Sequence, residues 1–313
     1  MYARVNGTRI FFDVDGAGVV SEGGKDVERP TLLLLPGGPG ASHMHYKRPD
    51  AGFARLTSRF QTVYVDWRGA ARSDPVPPEE ITLENAADDV EALRELLGIE
   101  RWAVLGASGG GIWAIAYAGK YPSAVSHLMI VHSIGTVDPF GDTAESMARR
   151  AGITDEEAIA IYRGFTAGDL VTPVSEWADS LRSTIVAVQN ALYNDPVKRP
   201  ELVERRTKVW NELTDEVLRR ELDVSRWYLH DFAKGYHVKN YADALTMPTF
   251  ITTGERDPVA PPAQSEEIQR AIPGSELYVH SGYHMPMGEE QGPFFEKILD
   301  FLERNGAFAQ AVP

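Results

Sequence analysis

The stretch Arg101-Trp102-Ala103-Val104-Leu105-Gly106-Ala107-Ser108-Gly109-Gly110-Gly111-Ile112-Trp113-Ala114-Ile115-Ala116-Tyr117-Ala118 decides the fold. It reads as a short buried strand over Trp102–Leu105, a very tight turn, and a helix from Gly109 to Gly119. The turn, Gly106-Ala107-Ser108-Gly109-Gly110, has the pattern G-x-S-x-G. A sharp strand-to-helix bend needs small residues two before and two after the serine, because larger side chains collide across it. The serine backbone is then strained and its hydroxyl stands clear above the sheet. The N–H groups that open the helix face the same spot and favour negative charge there. The pattern thus predicts a serine nucleophile, provided that a base and an acid follow it. A second reading stays open at this point. Gly109-x-Gly111-x-x-Ala114 also fits a dinucleotide-binding turn. That turn belongs to the first strand–helix unit and needs an acid about 20 residues on. Here the turn comes late, and the next strand, Leu128–Val131, ends in His132 and Ser133.

Working outward, the neighbouring segments alternate strand and helix. Arg4–Val5 and Thr8–Val14 flank an Asn6-Gly7 turn and predict a hairpin. Gly16–Pro30 is polar and Gly-rich and reads as a loop. Thr31–Leu35 is a continuous apolar run, as in a strand covered on both faces, and leads into Pro36-Gly37-Gly38-Pro39-Gly40. Phe53–Ser58 predicts a short helix, and Gln61–Val65 a strand ending in Asp66-Trp67-Arg68-Gly69. Thr82–Leu97 has helical spacing, with Gly98 as its cap. From about Thr136 the character changes. Thr143–Asn240 holds no clear buried strand, is rich in Glu and Arg, and carries Trp177, Trp210 and Trp227 at apolar positions of helical periodicity. The strand–helix rhythm returns with Pro248–Thr253, Ala263–Ala271, Ser275–His280 and a closing amphipathic helix at Phe294–Asn305. This alternation predicts an α/β core with a mostly parallel sheet flanked by helices. The core spans residues 1–135 and 246–313, and residues 136–245 form a helical cap.

Composition narrows the partners. The chain of 313 residues has 31 Lys and Arg against 45 Asp and Glu, a net charge of −14. This argues against nucleic acid or an anionic membrane as partner. There is no cysteine, which excludes disulfides, thiolate metal sites and cysteine nucleophiles. The first ten residues lack an apolar leader segment and no apolar run reaches membrane-spanning length, so a cytoplasmic location is the expectation.

A serine hydroxyl needs a base within hydrogen-bond reach, and the base needs a partner that fixes its tautomer. Asp257 lies in the loop Gly254-Glu255-Arg256-Asp257-Pro258, just past a strand end, where sites in open α/β sheets lie. His284 lies in the loop Ser281-Gly282-Tyr283-His284-Met285-Pro286-Met287 before the last helix. The order Ser108…Asp257…His284 is the one expected with an elbow serine. Asp138 and Glu255 are weaker candidate acids, and His280 is a weaker candidate base because it belongs to a strand. The oxyanion of acyl transfer needs two N–H donors. Gly109, after the nucleophile, supplies one, and the loop after Leu32–Leu35 the other, with Gly38 preferred over its neighbour Gly37. Gly37, Trp113 and Trp210 are candidate substrate contacts. His43-x-His45 lacks a third ligand nearby, so no metal site is expected and no cofactor is implied. Asp66, Arg68, Arg72 and Ser73 predict an Arg–carboxylate lock beneath the site loops.

With these motifs in place, nearly the whole chain resembles the α/β-hydrolase superfamily. Within it, Pro36-Gly37-Gly38-Pro39-Gly40 and Asp66-Trp67-Arg68-Gly69-Ala70-Ala71-Arg72-Ser73 look like the proline iminopeptidase motifs H-G-G-P-G and D-Q-R-G-x-G-R-S. Pro36 stands for the motif's histidine, Trp67 for its glutamine, and Gly109 for the bulky residue often found after the serine. The resemblance implies a serine hydrolase acting on a small amide or short peptide, with cap acids on the substrate's amino group. Glu201, Glu204, Glu212, Glu216 and Glu221 are the acids at hand. An ester or lactone is the alternative substrate class. A non-hydrolytic lyase, cyclase or oxygenase, or a ligand-binding protein, is a third reading.

Overall fold

The computed structural model of the chain describes residues 1–38, 40–47, 51–137, 144–167, 183–185, 187–188, 191–192, 204, 235–285 and 291–308. Ten strands are described: β1 (Tyr2–Val5), β2 (Thr8–Asp15), β3 (Val19–Glu22), β4 (Lys25–Glu28), β5 (Thr31–Leu35), β6 (Gln61–Val65), β7 (Trp102–Ala107), β8 (Val125–Val131), β9 (Thr249–Gly254) and β10 (Glu276–His280). Eight of them form one sheet in the order β1-β2-β6-β5-β7-β8-β9-β10. The β1–β2 and β2–β6 pairs are antiparallel, and every later pair is parallel. The described α-helices are α1 (Met44–Lys47), α2 (Leu83–Leu96), α3 (Gly109–Lys120), α4 (Ala144–Arg150), α5 (Glu156–Ala167), α6 (Pro262–Ala271) and α7 (Gln291–Arg304).

The apolar runs explain the layering. Leu33 and Leu35 face the side covered by α2 and α3, among Val90, Leu93, Ile112 and Ile115. Leu32 and Leu34 face the other side, among Phe53, Phe294, Phe295, Ile298 and Phe301. A strand with both faces covered has no polar face to alternate with, hence its unbroken leucines. Burying each such side chain stabilises the fold by about 1.5–3 kcal/mol. The elements sit where the sequence predicts them, with ends shifted by a few residues. For example, β7 runs on to Ala107, β8 begins at Val125 and α7 begins at Gln291. Phe53–Ser58 is a 3-10 helix.

Gly16–Pro30 departs from the loop expected of it. Instead of a plain loop it carries the hairpin β3–β4, reversed at Gly23-Gly24 with φ of 58° and 79°. Glycine adopts that left-handed backbone without a Cβ penalty. Val20 faces Val27 across the pair. One apolar pair in a polar stretch leaves no alternation to read.

The order of the central strands creates a crevice. The chain leaves β5 towards β6 on one side and returns to β7 on the other. The loops after β5 and β7 therefore diverge at their carboxyl ends, the place where open α/β sheets bind ligands. The segment after β8 begins and ends together. Val137 N–H donates to Tyr236 O at 3.1 Å, Val238 N–H donates to Gly135 O at 2.7 Å, and Thr136 bridges to His237. Within it, Ala148, Ile159, Tyr162, Ile185, Val188 and Leu192 form a separate apolar cluster that packs on Val259. Among the described residues no helix is long and apolar enough to cross a membrane.

Candidate active site

Ser108 sits at the crevice, between the central strand β7 and α3. Its backbone has φ 54° and ψ −126°, sterically disfavoured for a residue with a Cβ. Two main-chain bonds hold it there: Ser108 N–H donates to Val131 O at 2.8 Å, and Gly111 N–H donates to Ser108 O at 2.9 Å. The side chain makes no capping bond to α3. Its Oγ instead lies 2.9 Å from His284 Nε2. A Cβ on Gly110 would run into the carbonyls of Leu35 and Pro36, so the start of α3 is pressed onto the end of β5. A Cβ on Gly37 would lie 2.6 Å from Ala107 O and 2.7 Å from Ser108 Cβ, so that loop lies directly against the serine.

The Asp257 and His284 loops meet the serine from the far side of β8. His284 Nδ1 lies 3.0 Å from Asp257 Oδ1 and 2.9 Å from Oδ2. Oδ1 also accepts from the N–H groups of Val259 at 2.9 Å and Ala260 at 2.8 Å. His284 and Asp257 are buried, whereas Ser108 is partly open. Burial alone raises the Asp257 carboxyl. The charge of His284 and hydrogen bonds from His132 and His284 outweigh it, and the group ends well below the usual carboxylate range.

Two histidines complete this cluster: His132, not singled out from the sequence, and His280, expected there only as a weaker base. His132 Nδ1 lies 3.1 Å from Asp257 Oδ2, and His132 Nε2 lies 2.9 Å from His280 Nε2. Gly282 N–H donates to His280 Nδ1 at 3.1 Å. His280 is thus turned towards His132, and it is His284 that reaches Ser108. The available signal was a histidine at the end of each of two strands flanking β9. His132, Asp257 and His284 place possible ligand atoms within 4.8 Å of one another. The hydrogen bonds among the three already account for that closeness.

The oxyanion loop has its own supports. Gly37 N–H donates to the Tyr46 hydroxyl at 2.7 Å, which leaves Gly38 as the next N–H along. Gly38 itself has φ 98°. Trp67 Nε1–H donates to Pro36 O at 3.0 Å, and its ring packs on Trp113 with centroids 4.1 Å apart. Trp113 is buried in the core beneath these loops, and its Nε1 has no hydrogen-bond partner among the described residues. The predicted Arg–carboxylate lock is present with different partners. Arg68 pairs with Asp89 of α2 through two bonds of 2.7 and 2.8 Å, and Asn6 Nδ2 donates to the same carboxylate at 3.1 Å. Asp66 instead holds His43, accepting from its backbone N–H at 2.8 Å and meeting its Nδ1 at 2.8 Å. His43 also lies 3.3 Å from Asp13 Oδ2, while His45 is exposed.

Glu255 is exposed next to Asp257, and its N–H donates to His280 O at 2.7 Å. Among the cap acids Glu204 is described, and it is exposed. Asp138, Trp177, Glu201, Trp210, Glu212, Glu216, Glu221 and Trp227 lie outside the described residues. The dinucleotide reading fails, because it needs a turn free of a serine–histidine contact. Gly111 is accounted for by packing, since a Cβ there would collide with Ser133.

Comparison with known proteins agrees with this architecture. The chain is 28% identical over 282 residues to a proline iminopeptidase of Saccharolobus solfataricus, covering 87% of this chain and 84% of that protein. It is 25% identical over 310 residues to a proline iminopeptidase of Thermoplasma volcanium, covering 97% and 96%. Among solved structures, a proline iminopeptidase of Mycobacterium smegmatis superposes with a TM-score of 0.69 at 20% identity, covering 97% of this chain and 98% of that one. The enol-lactonase of Burkholderia xenovorans LB400 superposes with a TM-score of 0.67 at 20% identity, covering 97% and 100%. The family described as alpha/beta hydrolase fold matches residues 30–291, most of the sequence, and the chain belongs to that family.

Proposed function

We propose that the protein is a serine hydrolase that cleaves a small amide or short peptide through an acyl-enzyme. The observation that carries this is the placement of His284 between Ser108 Oγ and Asp257. Ser108 Oγ attacks the substrate carbonyl, and its proton passes to His284 Nε2. The N–H groups of Gly38 and Gly109 stabilise the oxyanion at the positive end of α3. The tetrahedral adduct collapses, the carbon–nitrogen bond breaks, and His284 returns the proton to the leaving amine. Water then gives its proton to His284 and attacks the acyl-serine, which releases the acid and restores Ser108. Asp257 fixes the His284 tautomer with its proton on Nδ1 and stabilises the imidazolium.

Residues 136–245 act as a lid over this centre. Support comes from α4, where Arg150 Nε donates to Pro258 O at 2.7 Å, and from the apolar cluster resting on Val259. Both contacts fall on the loop that carries Asp257. The amide preference is supported by relatives at 23–28% identity that are proline iminopeptidases.

The test is labelling with a fluorophosphonate, peptide mapping, and turnover of prolyl and other aminoacyl amides against short-chain esters and lactones. Stoichiometric modification at Ser108, lost in Ser108→Ala and His284→Ala, is expected, with prolyl amides turned over fastest. Preference for esters or lactones would overturn the substrate class and keep the mechanism. A folded protein that takes no label would overturn the mechanism.

A further inference from the structure

The reading of Ser108, His284 and Asp257 as catalytic leaves His132 and His280 without a task. Both are buried. The hydrogen bonds around them fix every proton. A backbone N–H can only donate, so His280 Nδ1, which receives Gly282 N–H at 3.1 Å, is bare. The His280 proton is therefore on Nε2, and it points at His132 Nε2, 2.9 Å away. His132 Nε2 accepts, so the His132 proton is on Nδ1, facing Asp257 Oδ2 at 3.1 Å. The chain Gly282–His280–His132–Asp257 thus delivers one N–H to the face of the carboxylate not reached by Val259 and Ala260.

We propose that His132, itself held by His280, is a positioning residue that locks Asp257 ionised and in one rotamer, and through it the His284 tautomer. With His132 in place both carboxylate oxygens have a donor besides His284. Without it Oδ2 keeps only His284, and the main chain anchors the carboxylate through Oδ1 alone. The arrangement rejects an additional proton. Placed on either ring, it would set two donors face to face, at Gly282 or between the two Nε2 atoms. The groups facing His132 are Asp257, His284, His280 and the ring of Phe294. Burial, the largest influence, pushes the His132 imidazole down to about 4 against the pull of Asp257, in keeping with a neutral donor.

This proposal rests on the hydrolase reading, and one set of measurements separates the two. The second-order rate of fluorophosphonate inactivation is followed from about pH 5 to about pH 9 for wild type, His132→Leu and His132→Asn. The low-field proton resonance of the Asp257–His284 bond is recorded for each. In His132→Leu the inactivation rate falls about 10- to 100-fold. Its acid limb, a property of the coupled pair, moves up by about half a pH unit to one unit, because a carboxylate with one donor fewer is more basic. The low-field resonance shifts or broadens. Asparagine carries an amide N–H near the Nδ1 position and tolerates the φ of 52° found here, so His132→Asn stays within about threefold of wild type. If His132→Leu does not fold, His280→Leu against His280→Gln reads the same limb one step removed. Leucine and asparagine variants that share the wild-type limb and resonance would overturn the positioning role while leaving the hydrolase reading intact. A wild type that is not labelled at Ser108 would overturn both.

Discussion

Ser108 and His132 follow the ends of adjacent strands, and both hold left-handed backbone, with φ of 54° and 52°. Such residues cost about 1–3 kcal/mol each and persist where the surroundings over-determine them. Here the strained backbones aim Ser108 at His284 and His132 at Asp257. A pH dependence of stability follows. Unfolded, His132 takes up a proton near 6.5, but in the folded chain only near 4. A depressed value means that its share of stability is complete above pH 6.5 and is lost as pH falls towards 4, by about 3 kcal/mol at most. Asp257, held below its ordinary value of 3.8, adds its own loss only at more acid pH. Urea midpoints at about pH 7 and pH 4.5 should fall steeply in wild type and less in His132→Asn. Equal slopes would show that His132 is not the proton acceptor. At this scale Ser108, Asp257 and His284 were legible, because each lies in a Gly- or Pro-marked turn in a diagnostic order. His132 and His280 were not. Their meaning comes from a contact across 148 positions, and a histidine ending a strand carries no periodic signal.

Among elements, the close approach of α3 to β5 matters most. Gly110 touches the carbonyls of Leu35 and Pro36, and these lead straight into Gly37 beside the serine. Gly110→Ala must push helix and loop apart. It should cost about 2–4 kcal/mol in stability and slow Ser108 labelling at least about tenfold, read by denaturant midpoint and inactivation rate. A stable variant labelled at the wild-type rate would show that the loop moves freely. The sequence made this junction legible through its run of small residues. It grouped Asp66, Arg68, Arg72 and Ser73 as a lock and did not include Asp89, the carboxylate that Arg68 meets. The signal for Asp89 was present. It is a carboxylate on the face of α2 that carries Ala86, Val90 and Leu93, and a charge among apolar neighbours needs a buried partner. The β3–β4 hairpin stayed hidden because one valine pair makes no pattern.

For the whole molecule, the net charge of −14 sets a long-range field that the folded shape does not cancel. Encounter with a cationic substrate is favoured at low salt and screened at high salt. Raising salt from about 10 mM to about 200 mM should lower kcat/KM for a prolyl amide about two- to threefold and raise it for an anionic hemisuccinate ester. The same response for both would mean that charges local to the site override the net field.

The contact between Thr136 and His237 has a consequence for how such a protein changes over time. Departure and return points of a hundred-residue excursion are clasped together at the core's edge, so the core's strand register does not depend on what lies between them. Closing a longer or shorter excursion changes the entropy only logarithmically with its length. That stretch can therefore change in length at little entropic cost to the strands that carry Ser108.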